Sequence, residues 1–146
     1  MMRASIRVGN AWAAVLALAC AAAPAAAQDC LHYESELVHL EGTLALRVFP
    51  GPPHYRSFET GDQPESIWML TPNQPFCIDA VPDDETNTGQ SQVKLVQIVP
   101  RTNFSMALNG KSVRVEGSLF RDHGGHPHAS VLMRVSNVSA AVASRP

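Results

Sequence analysis

Two long segments of the chain alternate apolar and polar residues, and this period of two is typical of a β-strand with one buried face. The segments are "LVHLEGTLALRVF" (37–49) and "GKSVRVEGSLF" (110–120). Each has a glycine in the middle of its apolar face, Gly42 in the first and Gly117 in the second. Because a glycine inside a strand often marks a bulge or a sharp bend, the pattern predicts two long, bent strands of a closed or nearly closed sheet.

Shorter apolar runs bounded by turn residues predict four further strands, at 66–70, 76–80, 91–99 and 130–138. The first two of these runs flank "TPNQP", whose two prolines suit a hairpin loop. Only "TNFSMAL" (102–108) has helical character, about two turns long. Five or six strands with one short helix predict an all-β domain in the form of a small OB-like Greek-key β-barrel. A small β-sandwich is the alternative.

The first 27 residues have the features of an export signal peptide. Two arginines precede a short apolar run, and small residues lead to a cleavage position after Ala27. The apolar run is alanine-rich and is interrupted by Pro24, which makes it a poor transmembrane span. Lipidation at Cys20 is an alternative. We therefore predict a signal peptide at 1–27 and a single exported domain at 28–146, with no transmembrane segment after cleavage.

Cleavage at this position changes the net charge and the cysteine count. Residues 1–27 contain two arginines and no acidic residue, so the net charge moves from −2 to −4. A chain with that charge lacks the basic surface that nucleic-acid binding requires. Cys30 and Cys77 remain as an even pair, and in an oxidising compartment such a pair usually forms a disulfide. We predict a Cys30–Cys77 disulfide; a redox pair and a metal-binding pair are the alternatives, and neither has CxxC spacing.

The sequence contains few of the features that are typical of an enzyme. There is no G-x-S-x-G nucleophile elbow, and the predicted disulfide consumes the two thiols. The acidic residues at 83–85 lie in a polar segment, whereas acid–base catalysis requires a carboxyl group held in an apolar pocket. We therefore predict a binding or interaction module that is not an enzyme and has no cofactor.

Aromatic residues in and around the proline-rich segment 49–65 form the candidate ligand face. Phe49, Tyr55 and Trp68 would offer ring faces to a ligand, and OB-like barrels bind along one sheet face and through loops. Positions in the hydrophobic core are the alternative for Phe49 and Trp68. No basic stripe accompanies these rings, which excludes nucleic acid and leaves a protein, a peptide or a saccharide as the partner.

The segment "RDHGGHPHAS" (121–130) contains three histidines. In an extended chain His126 and His128 would project to the same face and could share one metal ion. Zinc or copper normally needs a third ligand, for which His123 and Asp122 are the nearest candidates and His54 is a distant one. Weak zinc or copper binding is therefore the alternative function. A surface recognition loop and a merely polar hairpin loop are the other interpretations.

Four segments together resemble a family of small exported bacterial proteins, the domain of unknown function 4431. They are "FPGPPHYRSFETGDQPESIWML", "PFCI", "GKSVRVEGSLF" and "GGHPHASVLMRV", within a likeness that runs from about Leu37 to Val138. The resemblance implies an OB-like barrel in the bacterial periplasm and implies no activity. The family pattern resembles Gly-His-His-His-Thr, whereas Pro127 and Ala129 replace its central histidine and its threonine here. A role that depends on the central imidazole therefore does not carry over.

Overall fold

The structure is a computed structural model that describes residues 29–34, 37–85, 88–121 and 124–141. The predicted signal peptide at 1–27 lies outside these residues. The described part contains β-strands and two short 3-10 turns and has no α-helix, which confirms the predicted all-β class. The strands are β1 (Val38–Pro50), β2 (Pro64–Pro72), β3 (Phe76–Ile78), β4 (Gln90–Val93), β5 (Val96–Pro100), β6 (Lys111–Phe120) and β7 (Leu132–Ala140).

Five of these strands close into a barrel in the order β1, β2, β5, β7, β6. Strands β5 and β7 are parallel, and the other neighbouring pairs are antiparallel. The 13-residue strand β1 pairs with β6 along its N-terminal part and with β2 along its C-terminal part. One long strand therefore joins both ends of the sheet.

Strands β3 and β4 form a separate two-stranded sheet, which corrects two predictions. The run predicted as one strand at 91–99 is divided between β4 and β5, and β2 and β3 do not form a hairpin with each other. After β2 the chain stays beside β1, because the Asn73 N–H donates to the Glu41 carbonyl at 2.9 Å. Strand β3 instead lies beside the N-terminal segment, where Leu31 and Ile78 form a parallel bridge.

The predicted disulfide between Cys30 and Cys77 is present, with the two Cα atoms 4.7 Å apart. It fastens the N-terminal segment to β3. Next to it, the Leu31 N–H donates to the Cys77 carbonyl at 2.9 Å, and Tyr33 is buried in the core. The disulfide and these contacts bind the small sheet and the N-terminal segment into one unit.

The predicted two-turn helix at 102–108 is wrong, since a single 3-10 turn, Met106–Leu108, forms there. The Ser105 hydroxyl accepts from the Ala107 N–H at the start of the turn. At its end, Gly110 has a φ of 74° and its N–H donates to the Leu44 carbonyl of β1 at 2.8 Å. This contact with the barrel ends the turn and starts β6.

The two glycines singled out in the sequence lie where neighbouring strands approach closely. A Cβ atom at Gly42 would overlap the backbone carbonyl of Thr71, and one at Gly117 would overlap that of Arg134. The register of β6 and β7 also shifts next to Gly117, as the predicted bulge requires. The absence of a side chain is therefore what lets β2 and β7 pack against these positions.

The hydrophobic core fills the barrel and continues to the small sheet. It is built from the alternate positions of the strands, which point inward. The largest fully buried side chains of the described residues are Leu44, Met69, Leu70, Leu119, Met133, Val96, Val113, Val115, Val131 and Val135, and of these Met69 lies outside the core cluster. Within the described residues, no helix has the length and apolar character needed to cross a membrane.

Candidate functional site

The loop between β1 and β2 (51–63) is built around the carboxylate of Asp62, whose side chain is fully buried. Its two oxygens accept hydrogen bonds from the backbone N–H groups of His54, Arg56 and Ser57, at 2.8 to 2.9 Å. The N–H of Arg56 contributes most, and the three N–H groups hold the pKa of Asp62 well below its usual range although burial acts in the opposite direction. The loop is therefore organised by a carboxylate that stays ionised well below the pH at which aspartate ordinarily titrates.

The ring of His54 is oriented by the same carboxylate. Its Nδ1 lies 3.2 Å from an Asp62 oxygen, and the ring is 60% exposed. An acceptor at that distance favours the tautomer with the proton on Nδ1, which leaves Nε2 as the free acceptor nitrogen. His54 therefore stands at the surface in a fixed orientation.

Tyr55 follows in an unusual backbone conformation, with a φ of 56°. Few residues other than glycine adopt this left-handed region. Hydrogen bonds on both sides hold it there: the Tyr55 N–H donates to the Gly51 carbonyl at 2.9 Å, and the N–H of the next residue, Arg56, donates to the Asp62 carboxylate at 2.8 Å. Backbone hydrogen bonds thus fix the course of the proline-rich loop.

Two pairs of stacked rings join this region to the loop between β6 and β7, described over residues 124–131. Tyr55 stacks on His126, with ring centroids 3.9 Å apart and an interplanar angle of 14°. Phe49, near the end of β1, stacks on His128 at 4.0 Å and 9°. Residues far apart in the sequence thus form one surface, which we call the ring cluster: Phe49, Tyr55, His126 and His128.

His128 is the most enclosed of the histidines in the cluster, with 14% of its side chain exposed. Its backbone N–H donates to the Gln97 side-chain carbonyl of β5 at 2.7 Å. Its Nε2 is buried and lacks a hydrogen-bond partner among the described residues, although a Glu65 carboxylate oxygen lies 3.5 Å away. His128 and Glu65 are therefore within the distance of an ion pair, but their geometry is not that of a hydrogen bond. Strands β2 and β5 thus supply polar groups beneath the loop.

The metal site predicted at the histidines stays a prediction. His126 and His128 precede β7, and each ring stacks on a different aromatic residue. Among the residues that the structure describes, no group of three or more His, Cys, Asp or Glu side chains is arranged to hold a metal ion. The predicted third ligands Asp122 and His123 lie outside the described residues.

The three aromatic residues predicted as one ligand face are divided between two places. Phe49 and Tyr55 belong to the ring cluster, whereas Trp68 is 9% exposed and belongs to the core. The alternation of side chains along β2 explains why Trp68 is not part of the cluster. Glu65 lies beside His128 of the cluster, and Trp68 points to the opposite face of the strand. Trp68 instead contacts Phe104, with ring centroids 5.9 Å apart.

Sequence reasoning missed Asp62, on which the whole β1–β2 loop depends. The available signal was local, because aspartate side chains commonly accept hydrogen bonds from nearby backbone N–H groups in turns, and Asp62 follows Gly61 in a segment rich in turn residues. The roles of Glu65 and Gln97 had no such signal, because both depend on where the β6–β7 loop lies.

The model of one protein family, described as "Domain of unknown function (DUF4431)", matches residues 95–139. This confirms, for that segment, the resemblance stated from the sequence. The match runs from the residue before β5 almost to the end of β7 and includes both histidines of the ring cluster. The β1–β2 loop lies outside it. No curated protein and no solved structure matches the chain significantly.

Proposed function

We propose that the protein is an exported, non-enzymatic binding module with an OB-like barrel, and that it binds a saccharide at the ring cluster. In chain order the barrel strands β1, β2, β5, β6 and β7 are the first to the fifth. OB barrels bind ligands on the face of strands two and three and at the loops that follow strands one and four. In this chain those positions are β2, β5, the β1–β2 loop and the β6–β7 loop.

The observation that carries this proposal is the contact of the two loops through the Tyr55–His126 stack. It places ring faces, which suit the apolar face of a sugar ring, beside groups that hydrogen-bond to hydroxyls. The oriented imidazole of His54 is one such group, and the carboxylate of Glu65 is another. A mixture of aromatic surface and a few polar groups is typical of small-ligand sites.

Export is the second part of the proposal, and the Cys30–Cys77 disulfide supports it. Disulfides persist in oxidising compartments such as the bacterial periplasm and are rare in the cytosol. The predicted signal peptide at 1–27 agrees with this location. Intact mass of the protein recovered from the periplasm is expected to correspond to a chain that starts at Gln28. Recovery of an uncleaved chain in the cytosol would contradict export.

Saccharide binding is tested by NMR titration of the 15N-labelled protein with chitotriose and maltotriose. We expect one of them to shift the amide resonances of Tyr55 and His126. Tyr55→Ala is expected to weaken binding by about tenfold or more, since removal of a stacking ring costs on the order of 1–3 kcal/mol. Phe58→Ala is the matched control, because Phe58 is an exposed ring of the same loop outside the cluster.

Two results would contradict saccharide binding at the ring cluster. One is the absence of shifts at Tyr55 and His126 with both sugars. The other is an equal loss of affinity in the Tyr55→Ala and Phe58→Ala variants, since this would show that the stacked ring has no special part.

A further inference from the structure

A cleft of about 420 Å³ lies between β2 and β5, the two strands beneath the β6–β7 loop. Residues 68–70 of β2 pair with residues 96–98 of β5. The cleft lies beyond this pairing, where β2 runs back to Pro64 and β5 runs on to Pro100. Its volume is within the range of about 300–1,000 Å³ that is usual for ligand pockets, so the cleft is large enough to hold part of a ligand.

The cleft adjoins the ring cluster on both strands. On β5, Gln97 lines the cleft, and its side-chain carbonyl accepts from the backbone N–H of His128 at 2.7 Å. On β2, a Glu65 carboxylate oxygen lies 3.5 Å from Nε2 of His128, and Ile67, the next residue on the same face of the strand, lines the cleft. Gln97 is directly opposite Met69, so its side chain belongs to this face as well. The surface of the ring cluster therefore leads along β2 and β5 to the cleft.

The lining of the cleft combines two aromatic rings with uncharged polar side chains. The rings of Trp68 and Phe104 are in contact, with their centroids 5.9 Å apart. Ser66 and Asn103 are exposed and supply a hydroxyl and an amide. The Gln97 carbonyl is engaged with His128, which leaves its NH2 group to donate. None of the described residues that line the cleft is charged, and this combination suits an uncharged sugar residue.

We propose that the saccharide site extends from the ring cluster into this cleft, and that its ligand is a linear oligosaccharide with an uncharged residue in the cleft. This extension of the site rests on the proposed saccharide binding. From Glu65 to Trp68 the strand advances by three residues, on the order of 10 Å at about 3.3 Å per residue. A single sugar ring is shorter than this, so only linked residues can occupy the ring cluster and the cleft together.

The test is a chain-length series titrated into the 15N-labelled full chain: maltose, maltotriose and maltohexaose, and likewise chitobiose, chitotriose and chitohexaose. In the series that binds, we expect the affinity to rise by about tenfold or more from the disaccharide to the hexasaccharide, because the longer chain contacts both places. The hexasaccharide is expected to shift the Trp68 indole N–H and the Asn103 side-chain amide together with the amides of Tyr55 and His126.

Phe104→Leu removes the ring from the cleft and keeps an apolar side chain of similar bulk beside Trp68. We expect its affinity for the hexasaccharide to fall by about tenfold, and its affinity for the disaccharide to stay close to that of the wild type. Phe58→Leu is the matched control, because Phe58 is an exposed ring outside both the ring cluster and the cleft. It is expected to bind both sugars like the wild type.

Asn103→Ala tests the cleft without changing the packing, because Asn103 is exposed. Loss of its amide is expected to weaken hexasaccharide binding by about fivefold. Its exposed neighbour Thr102 does not line the cleft, so Thr102→Ala is expected to bind like the wild type. Hexasaccharide affinity equal to that of the wild type in both Asn103→Ala and a folded Phe104→Leu would overturn the proposal. Should Phe104→Leu fail to fold, the comparison of Asn103→Ala with Thr102→Ala decides the matter.

The pattern of shifts separates this extension from the proposed saccharide binding itself. Shifts at Tyr55 and His126 with the hexasaccharide, but none at the Trp68 indole and the Asn103 side chain, would overturn the extension and leave binding at the ring cluster intact. Absence of shifts at Tyr55 and His126 with every sugar would contradict binding at the ring cluster and the extension with it.

Discussion

Asp62 is the residue that fixes the shape of the β1–β2 loop, because one carboxylate accepts three backbone N–H groups. Asp62→Asn keeps the size of the side chain and replaces one acceptor oxygen by an NH2 group that cannot accept. Arg56 and Ser57 share one carboxylate oxygen and His54 uses the other, so the single amide oxygen of asparagine can serve only one of these two sets. We expect amide exchange at His54, or at Arg56 and Ser57 together, to become about tenfold faster or more. Glu59→Gln, at an exposed carboxyl in the same loop, is the control. Unchanged protection in Asp62→Asn would contradict the anchoring role.

The same carboxylate makes the stability of the fold depend on pH. Its pKa is lower in the folded protein than in the unfolded chain, where aspartate titrates near about 3.9. Its contribution is therefore fully present above about pH 4 and is lost as the pH falls toward the folded pKa. Melting temperatures measured from about pH 7 down to about pH 2 should fall more steeply below pH 4 for the wild type than for Asp62→Asn. Parallel curves would contradict this.

At the scale of single strands, Gly117 is the position where β6 is least able to accept a side chain. We expect Gly117→Val to lower the free energy of unfolding by more than the roughly 1 kcal/mol that strand propensities span, because the new Cβ must displace the Arg134 carbonyl of β7. Gly124→Val is the control, since a Cβ there meets no atom. Urea unfolding measures both variants. Equal urea midpoints for the two variants would show that β7 accommodates the new side chain at position 117 without a loss of stability.

Elements set by local alternation could be predicted from the sequence, and elements set by distant partners could not. Strands β1 and β6 follow from their period of two, and their central glycines mark close contacts between strands. The division of 91–99 into two strands was not predictable, because β4 pairs with β3, which is itself fastened to the N-terminal segment. Likewise, the predicted helix at 102–108 is replaced by a single 3-10 turn, which is followed by the hydrogen bond from the Gly110 N–H to the distant Leu44 carbonyl.

At the scale of the whole molecule, the candidate site joins parts of the chain that only the closed barrel brings together. The sequence indicates the proline-rich loop and the histidine loop separately, and each contains residues of the ring cluster. Their meeting depends on barrel order, which places β6 on one side of β1 and β2 on the other. The Tyr55–His126 and Phe49–His128 contacts could therefore not be predicted from spacing.

The Cys30–Cys77 disulfide acts on the molecule as a whole, because it closes a loop across a sequence separation of 47 residues that contains β1, β2 and the start of β3. Closing a loop of this length removes chain entropy from the unfolded state and is expected to contribute about 4 kcal/mol to stability. Urea unfolding should therefore show a lower midpoint for Cys30→Ser/Cys77→Ser than for the oxidised protein.

Reductant provides the control for the disulfide, since it should lower the midpoint of the wild type and leave that of the double variant unchanged. The barrel core does not include the two cysteines, so the variant is expected to keep its β-sheet circular dichroism at low urea. Equal midpoints for oxidised and reduced wild type would contradict the stabilising role. If saccharide no longer shifted the amide resonances of Tyr55 and His126 in a folded Cys30→Ser/Cys77→Ser variant, this would instead show that the N-terminal segment also positions the loops.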